Sequence, residues 1–218
     1  MSGRGILALW NDCAPGDEAD YEAWYQGEHL LERMAVPGFR LARRFRRADA
    51  GTGAEYFTYY ETASPEVLNT PRYRALLDNP TSMTTRIMSG TFLNMSRTVC
   101  RVAVSHGRLR GAYAVAVKLD RFDGDGPAAR LLIGYGERPD VARAEAWISV
   151  DVASSAPTRE EELRGGDARI NACLLVETLR EDTARAVLAD LGEKLDTQVT
   201  EAGVYGLLCD AGPDASER

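Results

Sequence analysis

Apolar and polar residues change their period several times along the chain, and each change marks an element. GILALW at 5–10 is a short, uniformly apolar strand. DEADYEAWYQGEHLLERMA at 17–35 takes up a helical period. It starts after Pro15-Gly16, carries acids in its first turn and stops before Pro37-Gly38. FRLARRFRR (39–47) and AEYFTYYET (54–62) alternate like strands, and Gly51-Thr52-Gly53 joins them as a hairpin. SPEVLNTPRYRALLDN (64–79) predicts a helix opened by Ser64 and Pro65, with Pro71 breaking or kinking it. FLNMSRTVCRVAV (92–104) closes the half as a strand. The order is β-α-β-β-α-β, the ferredoxin-like arrangement.

The second half repeats that order more faintly. GAYAVAVKLD (111–120) is a strand, GPAARLLIGYGERPDV (126–141) a short helix with a turn, and RAEAWISVDVAS (143–154) and ARINACLLVET (168–178) are strands flanking a charged hairpin, REEELRGG. REDTARAVLADLGEKL (180–195) is a helix and AGVYGLLCD (202–210) the last strand. YYET at 59–62 and LVET at 175–178 both end a strand just before a helix, 116 residues apart, and Cys100 and Cys209 fall in the two closing strands, 109 apart. The repeat is therefore one of structure more than of sequence. The expected division is a first ferredoxin-like unit at 1–104 carrying the site, a linker at 105–110, a second, degenerate unit at 111–212 and a tail at 213–218. Each unit covers one sheet face with helices, and the sister sheet can cover the other. The expected fold is α+β, two ferredoxin-like units in one chain forming a pseudo-symmetric α/β barrel.

Composition narrows the partners. A net charge of −7 over 218 residues argues against nucleic acid and against an anionic membrane surface. No run approaches the roughly 18 apolar residues of a membrane span, and the N-terminus has no signal-peptide pattern. Cys13, Cys100, Cys173 and Cys209 form no CxxC and read as reduced core thiols, which points to the cytoplasm. No phosphate loop, HExxH, His–carboxylate metal spacing or GxSxG elbow occurs, so no metal is expected.

The chemistry concentrates in the first unit. On a helical wheel Tyr21, Trp24, Glu28, Leu31 and Ala35 form one stripe, with Tyr25, His29 and Glu32 on the adjacent row. This places His29 at the edge of the sheet-facing stripe, one turn below Tyr25. The other reading is a half-exposed imidazole on a charged helix, with Glu28 paired to Arg40, Arg43 or another arginine of the next strand. Alternation separates Arg40, Ala42, Arg44 and Arg46 from Leu41, Arg43, Phe45 and Arg47, and Tyr56, Thr58 and Tyr60 from Phe57, Tyr59 and Glu61. An arginine facing a pocket, Arg43 being the candidate, could hold an anionic oxygen, and aromatics such as Tyr59 could line a slot for a flat guest. Trp10 and Asn11 end the first strand, at a pocket mouth or in an Asx turn.

The segment YQGEHLLERMAVPGF resembles the helix of EthD-like members of the dimeric α/β-barrel superfamily, which carry an aromatic, three residues, a histidine and commonly a proline two places on. Tyr25 and His29 keep that spacing, and Leu31 stands where the proline is common. WNDCAPGDEADYEAWY, PGFRLARRF and PTSMTTRIMSGTFLNMSRTVC are similar to a two-unit bacterial branch of that group, so the resemblance covers about 1–104. It implies a pocket between sheet and helices within a unit, cofactor-free chemistry on aromatic or polyketide-like molecules, and an acid or base role for His29 between Trp24 and Tyr25. Relatives of this architecture also bind haem, for which His29 or His106 would be the axial ligand; no cofactor is the expectation here. The second half has no equivalent histidine and reads as scaffold.

The function expected is a cofactor-independent enzyme using acid–base chemistry on a small aromatic or carbonyl compound, as a lyase, isomerase, cyclase or cofactor-free monooxygenase. His29 is the catalytic candidate, with Trp10, Asn11, Trp24, Tyr25, Glu28, Arg43 and Tyr59 as substrate-binding candidates. The alternative is a non-catalytic small-molecule binding or accessory protein. Either way the partner is a small organic molecule, and a homodimer is compatible with the internal repeat. The enzyme reading requires His29 to border a hollow that admits an organic guest.

Overall fold

The computed structural model describes residues 3–152, 157–195 and 198–213; beyond residue 213, the expected tail lies outside the described residues. The first half comprises β1 (Gly5–Cys13), a continuous helix made of α1 (Glu18–Trp24), a π-turn (Tyr25–His29) and α2 (Leu30–Met34), then β2 (Phe39–Arg47) and β3 (Tyr56–Thr62). A 3-10 turn (Pro65–Asn69), α3 (Pro71–Asp78), α4 (Ser82–Gly90) and β4 (Phe92–His106) complete it. The second half runs β5 (Tyr113–Leu119), α5 (Pro127–Gly136), β6 (Val141–Ser149), α6 (Arg159–Arg164), β7 (Ala172–Thr178), α7 (Glu181–Leu195) and β8 (Val199–Ala211).

Three local features go beyond the expected elements. The helix expected at 64–79 divides at Thr70, because Pro71 cannot donate a backbone hydrogen bond; Thr70 caps the new helix by accepting from the Tyr73 N–H. A further helix, α4, follows Thr81, whose hydroxyl accepts from the Thr84 N–H. The charged hairpin REEELRGG contains α6, capped by the Thr158 side chain and ended by Gly165 at φ 78°. β4 continues through His106, so the segment expected to link the units begins within it.

The strands form one closed antiparallel barrel in the order β1-β3-β2-β8-β5-β7-β6-β4. Each half supplies a ferredoxin-like block, β4-β1-β3-β2 or β8-β5-β7-β6, with its helices outside. The blocks join twice: β2 pairs with β8 from Ala42↔Ala211 to Arg47↔Tyr205, and β4 with β6 from Cys100↔Ser149 to His106↔Ala144. Barrel closure is thus completed within one chain. The four cysteines are free thiols, Cys209 half-buried and the others buried. No helix among the described residues is long and apolar enough to cross a membrane.

Alternation along the strands produces three cores. Ile6, Trp10, Phe45, Phe57, Tyr59 and Trp147 fill the barrel, with Trp10 stacked on Phe57 at 4.9 Å. Leu7, Leu9, Tyr56, Tyr60 and Met95 face outward under the first unit's helices. Val115, Val117, Leu174 and Val176 do the same under α5 and α7.

The repeated tetrapeptides acquire a structural meaning in the barrel. Glu61 of YYET and Glu177 of LVET are both buried, and each receives an arginine from the other half. Arg43 Nη1 donates to Glu177 at 2.7 Å, and Arg143 Nη1 to Glu61 at 2.7 Å. Tyr59 and the Gly111 N–H also donate to Glu177. Replacing Glu177 by Met strands the Arg43 charge inside the protein, and a loss of about 3 kcal/mol is expected in urea unfolding. Adding Arg43→Met to that variant recovers a good part of it; equal losses in the single and double variants would show that the pair does not couple the halves.

Candidate functional site

The helix carrying Trp24, Tyr25 and His29 is wound differently from a regular α-helix at that point. The Leu30 N–H bonds to the Tyr25 carbonyl, an i→i+5 bond, and the turn Tyr25–His29 is widened by one residue. The buried face therefore shifts: Trp24, Tyr25, His29, Leu30 and Arg33 point to the sheet, while Leu31 is 55% exposed. A wheel at 100° per residue places Leu31 inward and His29 at the edge, so the extra residue accounts for the difference. His29 is buried, its ring 4.4 Å from Trp24 and 5.1 Å from Tyr25 between centroids.

The other candidates divide between two sides of the sheet. Trp24 donates from Nε1 to Thr84 Oγ1 at 3.0 Å, which fixes the indole against α4. Glu28 accepts from the Thr81 and Thr84 hydroxyls rather than from an arginine. Asn11 lies under α1, its amide donating to the Tyr21 hydroxyl at 2.8 Å. Trp10, Arg43 and Tyr59 face the barrel interior and do not meet the imidazole; strand alternation puts them on the opposite face from Leu9, Arg44 and Tyr60.

The imidazole borders a cavity of about 20 Å³ lined by Leu7, Leu9, Arg33, Tyr60, Tyr73, Leu77, Met88, Phe92, Met95, Arg97, Glu160 and Arg164. That is room for about one water; the expected hollow for a whole organic guest is not beside His29. Two buried polar groups on its wall lack a well-formed hydrogen bond. Arg33 Nη1 has no partner, the Tyr60 hydroxyl has the Tyr25 hydroxyl as its neighbour without a well-formed bond, and Arg33 Nη2 lies 3.4 Å from His29 Nδ1. Arginine only donates, so Nδ1 accepts and the proton of the neutral ring is on Nε2.

The roof comes from the other half of the chain. Glu160 of α6 forms a buried ion pair with Arg33, and Arg164 of α6 is held by Asp167 through bonds of 3.0 and 2.8 Å. The segment after α6 is tied to β4: the Ala168 N–H donates to the Met95 carbonyl and the Arg97 N–H to the Ala168 carbonyl, each at 2.9 Å. On the far side of Leu77, Arg97 and Arg164 opens a groove of about 320 Å³ between α3, β4 and the stretches 149–152 and 158–171.

Sequence reasoning missed Arg33, Tyr60, Arg97 and Glu160. Arg33 sits four residues after His29, a spacing that places the two side by side on a helix. Glu160 lies 127 residues from its partner, and no local pattern announces that contact.

Positive charge dominates the surroundings. Arg44, fully buried, lies over the rings of Tyr21, Tyr25 and Tyr56 at 5.0, 4.5 and 4.6 Å, with the Tyr21 hydroxyl as a polar neighbour and no carboxylate paired to it among the described residues. Burial, then Arg33, Arg164 and Arg44, holds His29 well below the usual imidazole pKa. Burial above all raises Tyr60 well above the usual phenol pKa, so it remains a neutral donor.

A haem does not fit this arrangement. The space at His29 is that of a single water and its Nδ1 faces a guanidinium. His106 ends β4 against Gly136, where an added Cβ would come within 2.3 Å of the histidine Cβ. Among the described residues no group of three or more His, Cys, Asp or Glu is placed to hold a metal ion.

The neutral ring has a measurable consequence. The unfolded chain takes up a proton at His29 near pH 6.5 and the folded one only well below it. This group's contribution to stability is therefore present above about pH 6.5 and lost as the pH falls toward the depressed folded value. In a proton–carbon NMR titration, the His29 ring resonances are expected to stay constant from pH 8 through 6.5. A midpoint near 6.5 would show the ring to be solvated and free of the arginines.

No known protein-family model matches the chain, and no curated protein matches it. Solved structures do. An anthrone oxidase-like protein has 9% identity, covers 98% of this chain and 94% of its own, and gives a TM-score of 0.60. A candidate monooxygenase from Fusobacterium nucleatum subsp. nucleatum also has 9% identity, with 97% and 96% covered and a TM-score of 0.60. A variant chlorite dismutase from Candidatus Nitrospira defluvii has 8% identity, with 96% and 92% covered and a TM-score of 0.53. At these identities the likeness is one of fold: the chain has the dimeric α/β-barrel fold, built from two ferredoxin-like units.

Proposed function

We infer that the protein is a cofactor-independent enzyme that stabilises an enolate or phenolate oxygen of a small aromatic or carbonyl compound. The observation that carries this reading is the convergence of His29, the Tyr60 hydroxyl, which lacks a well-formed hydrogen bond, and the unpartnered Arg33 Nη1 on one cavity. Buried polar groups without partners are costly, and an oxygen atom of a substrate would satisfy them. The cavity is large enough for that oxygen, and the body of the compound occupies the adjoining groove once the Leu77 side chain makes way.

The protein then acts by electrostatic stabilisation more than by a strong base. Tyr60 O–H, Arg33 Nη1–H and His29 Nε2–H donate to the substrate oxygen as charge develops on it. This raises the acidity of the carbon next to the carbonyl, and water from the groove takes the proton, since Glu160 is held by Arg33. His29 serves as a neutral donor, because an imidazolium beside the surrounding arginines is unfavourable. The carbanion can be protonated elsewhere, expel a leaving group or react with dioxygen, giving an isomerase, a lyase or a cofactor-free monooxygenase. The names of the anthrone oxidase-like and monooxygenase-like neighbours support the last outcome. The Tyr25–His29 spacing supports a place among the EthD-like proteins, with residues 1–104 as the unit that carries the site and 111–212 as its scaffold and roof. A soluble cytoplasmic enzyme, active as one chain or as a homodimer, fits this reading.

A non-catalytic binding protein is the second reading, favoured by the small size of the cavity. Anthrone, an enolisable tricyclic ketone, separates the two. Oxygen uptake above the uncatalysed rate is expected with the wild-type protein. His29→Ala should lower the rate by about 10²-fold and Tyr60→Phe by roughly tenfold. Saturable binding with no acceleration, or full activity in both variants, overturns the enzymatic reading.

A further inference from the structure

We propose that the 320 Å³ groove beside the His29 cavity binds the carboxylate of an aromatic acid, with Arg97 as the anchoring residue. The proposal rests on reading the cavity as the reacting end of a single chamber, of which the groove is the larger part.

Arg97 is placed where such an anchor is needed. It lies on β4 opposite Leu9, on the helix side of the sheet, and it lines both the small cavity and the groove. Its guanidinium donates to the Tyr73 hydroxyl at 3.1 Å, and among the described residues no carboxylate lies within ion-pair distance. Its backbone N–H is fixed to the Ala168 carbonyl, so the strand holds it in register. A half-buried arginine without a carboxylate is unusual in a chain of net charge −7, and its planar fork matches a carboxylate's two oxygens.

The groove supplies the rest of the selectivity. Leu68, Leu77, Val99, Val150 and Ile170 give it apolar walls that suit a ring face. Its volume is at the lower end of the range of about 300–1,000 Å³ seen for small-molecule sites, which favours one or two fused rings. Asp167 is neutralised by Arg164, and the lining arginines Arg74 and Arg169 are matched in number by Asp151 and Glu161, which leaves Arg97 as the one surplus charge. A mono-anion fits, with its charge at Arg97 and its enolisable or phenolic oxygen directed past Leu77 into the cavity. An ortho-hydroxylated naphthoic acid has those two groups at adjacent ring positions.

The test uses 1-hydroxy-2-naphthoate and the matching carboxamide, titrated into the full chain by calorimetry. The carboxylate is expected to bind saturably and on the order of tenfold more tightly than the amide. Arg97→Met should abolish that preference while leaving amide binding in place, and Arg97→Lys should keep part of it. The wild-type carboxylate-to-amide ratio needs no variant, so it remains informative if Arg97→Met fails to fold. His29→Ala should retain the preference, whereas a wild-type protein that shows the carboxylate preference but no turnover of anthrone would reject the enzymatic reading while upholding the anion site. Equal affinities, an unchanged preference in Arg97→Met, or no saturable carboxylate binding overturns the proposal.

Discussion

The ladders between β2 and β8 and between β4 and β6 turn two four-stranded sheets into a tube. Closure removes free strand edges and makes every inward side chain a buried one, charged residues included. Glu61 and Glu177 must then find cations inside: Arg43 of the other half serves Glu177, and Arg143 of the other half and Arg110 ahead of β5 join Arg4 of its own half in serving Glu61. Buried ion pairs add little stability over apolar packing, but breaking one is costly. Their effect here is to penalise any register of the two halves other than the observed one. The outer faces, where the site is built, inherit their geometry from that closed frame.

The two helix layers outside the frame are unequal. Beneath α5 and α7 the second unit's layer is apolar throughout its core. Beneath the first unit's helices lie His29, Arg33 and Arg44, all buried. The connection from β2 to β3 is a short turn, while that from β6 to β7 carries α6, which closes over the first unit and supplies Glu160. One half is therefore scaffold for itself and roof for the other. Such a division needs both units in one chain, because a symmetric pair of identical units would roof two sites or none.

Strand alternation in the sequence was enough to assign the faces of β2 and β3, and the YYET and LVET echo pointed to the repeat. Pro71 marked a helix break. The π-turn was not legible: a wheel assumes a constant 100° per residue, and the one extra residue at Tyr25–His29 exchanges Leu31 for Leu30 and brings Arg33 under the helix. The misplacement of Trp10, Arg43 and Tyr59 has a different origin. Alternation separates two faces but does not say which is the barrel interior, and in a closed barrel both faces are buried. The α6 roof was read as a charged hairpin because its partners, Arg33 and the walls of the groove, are remote in sequence.

The charges around the cavity favour one kind of chemistry. Arg33 is balanced by Glu160 and Arg164 by Asp167, but among the described residues Arg44 has tyrosines and no paired carboxylate around it, and Arg97 donates to a phenol. In a chain of net charge −7, this leaves a local excess of positive charge. Such a field disfavours a protonated imidazole, so it weakens His29 as a proton acceptor. The same field favours negative charge arising on a bound molecule. Arranged donors that need no reorientation act most strongly where water is excluded, and a cavity the size of one water excludes nearly all of it. The residues that silence the histidine as a base are thus those that would make an enol or a phenol a stronger acid when bound.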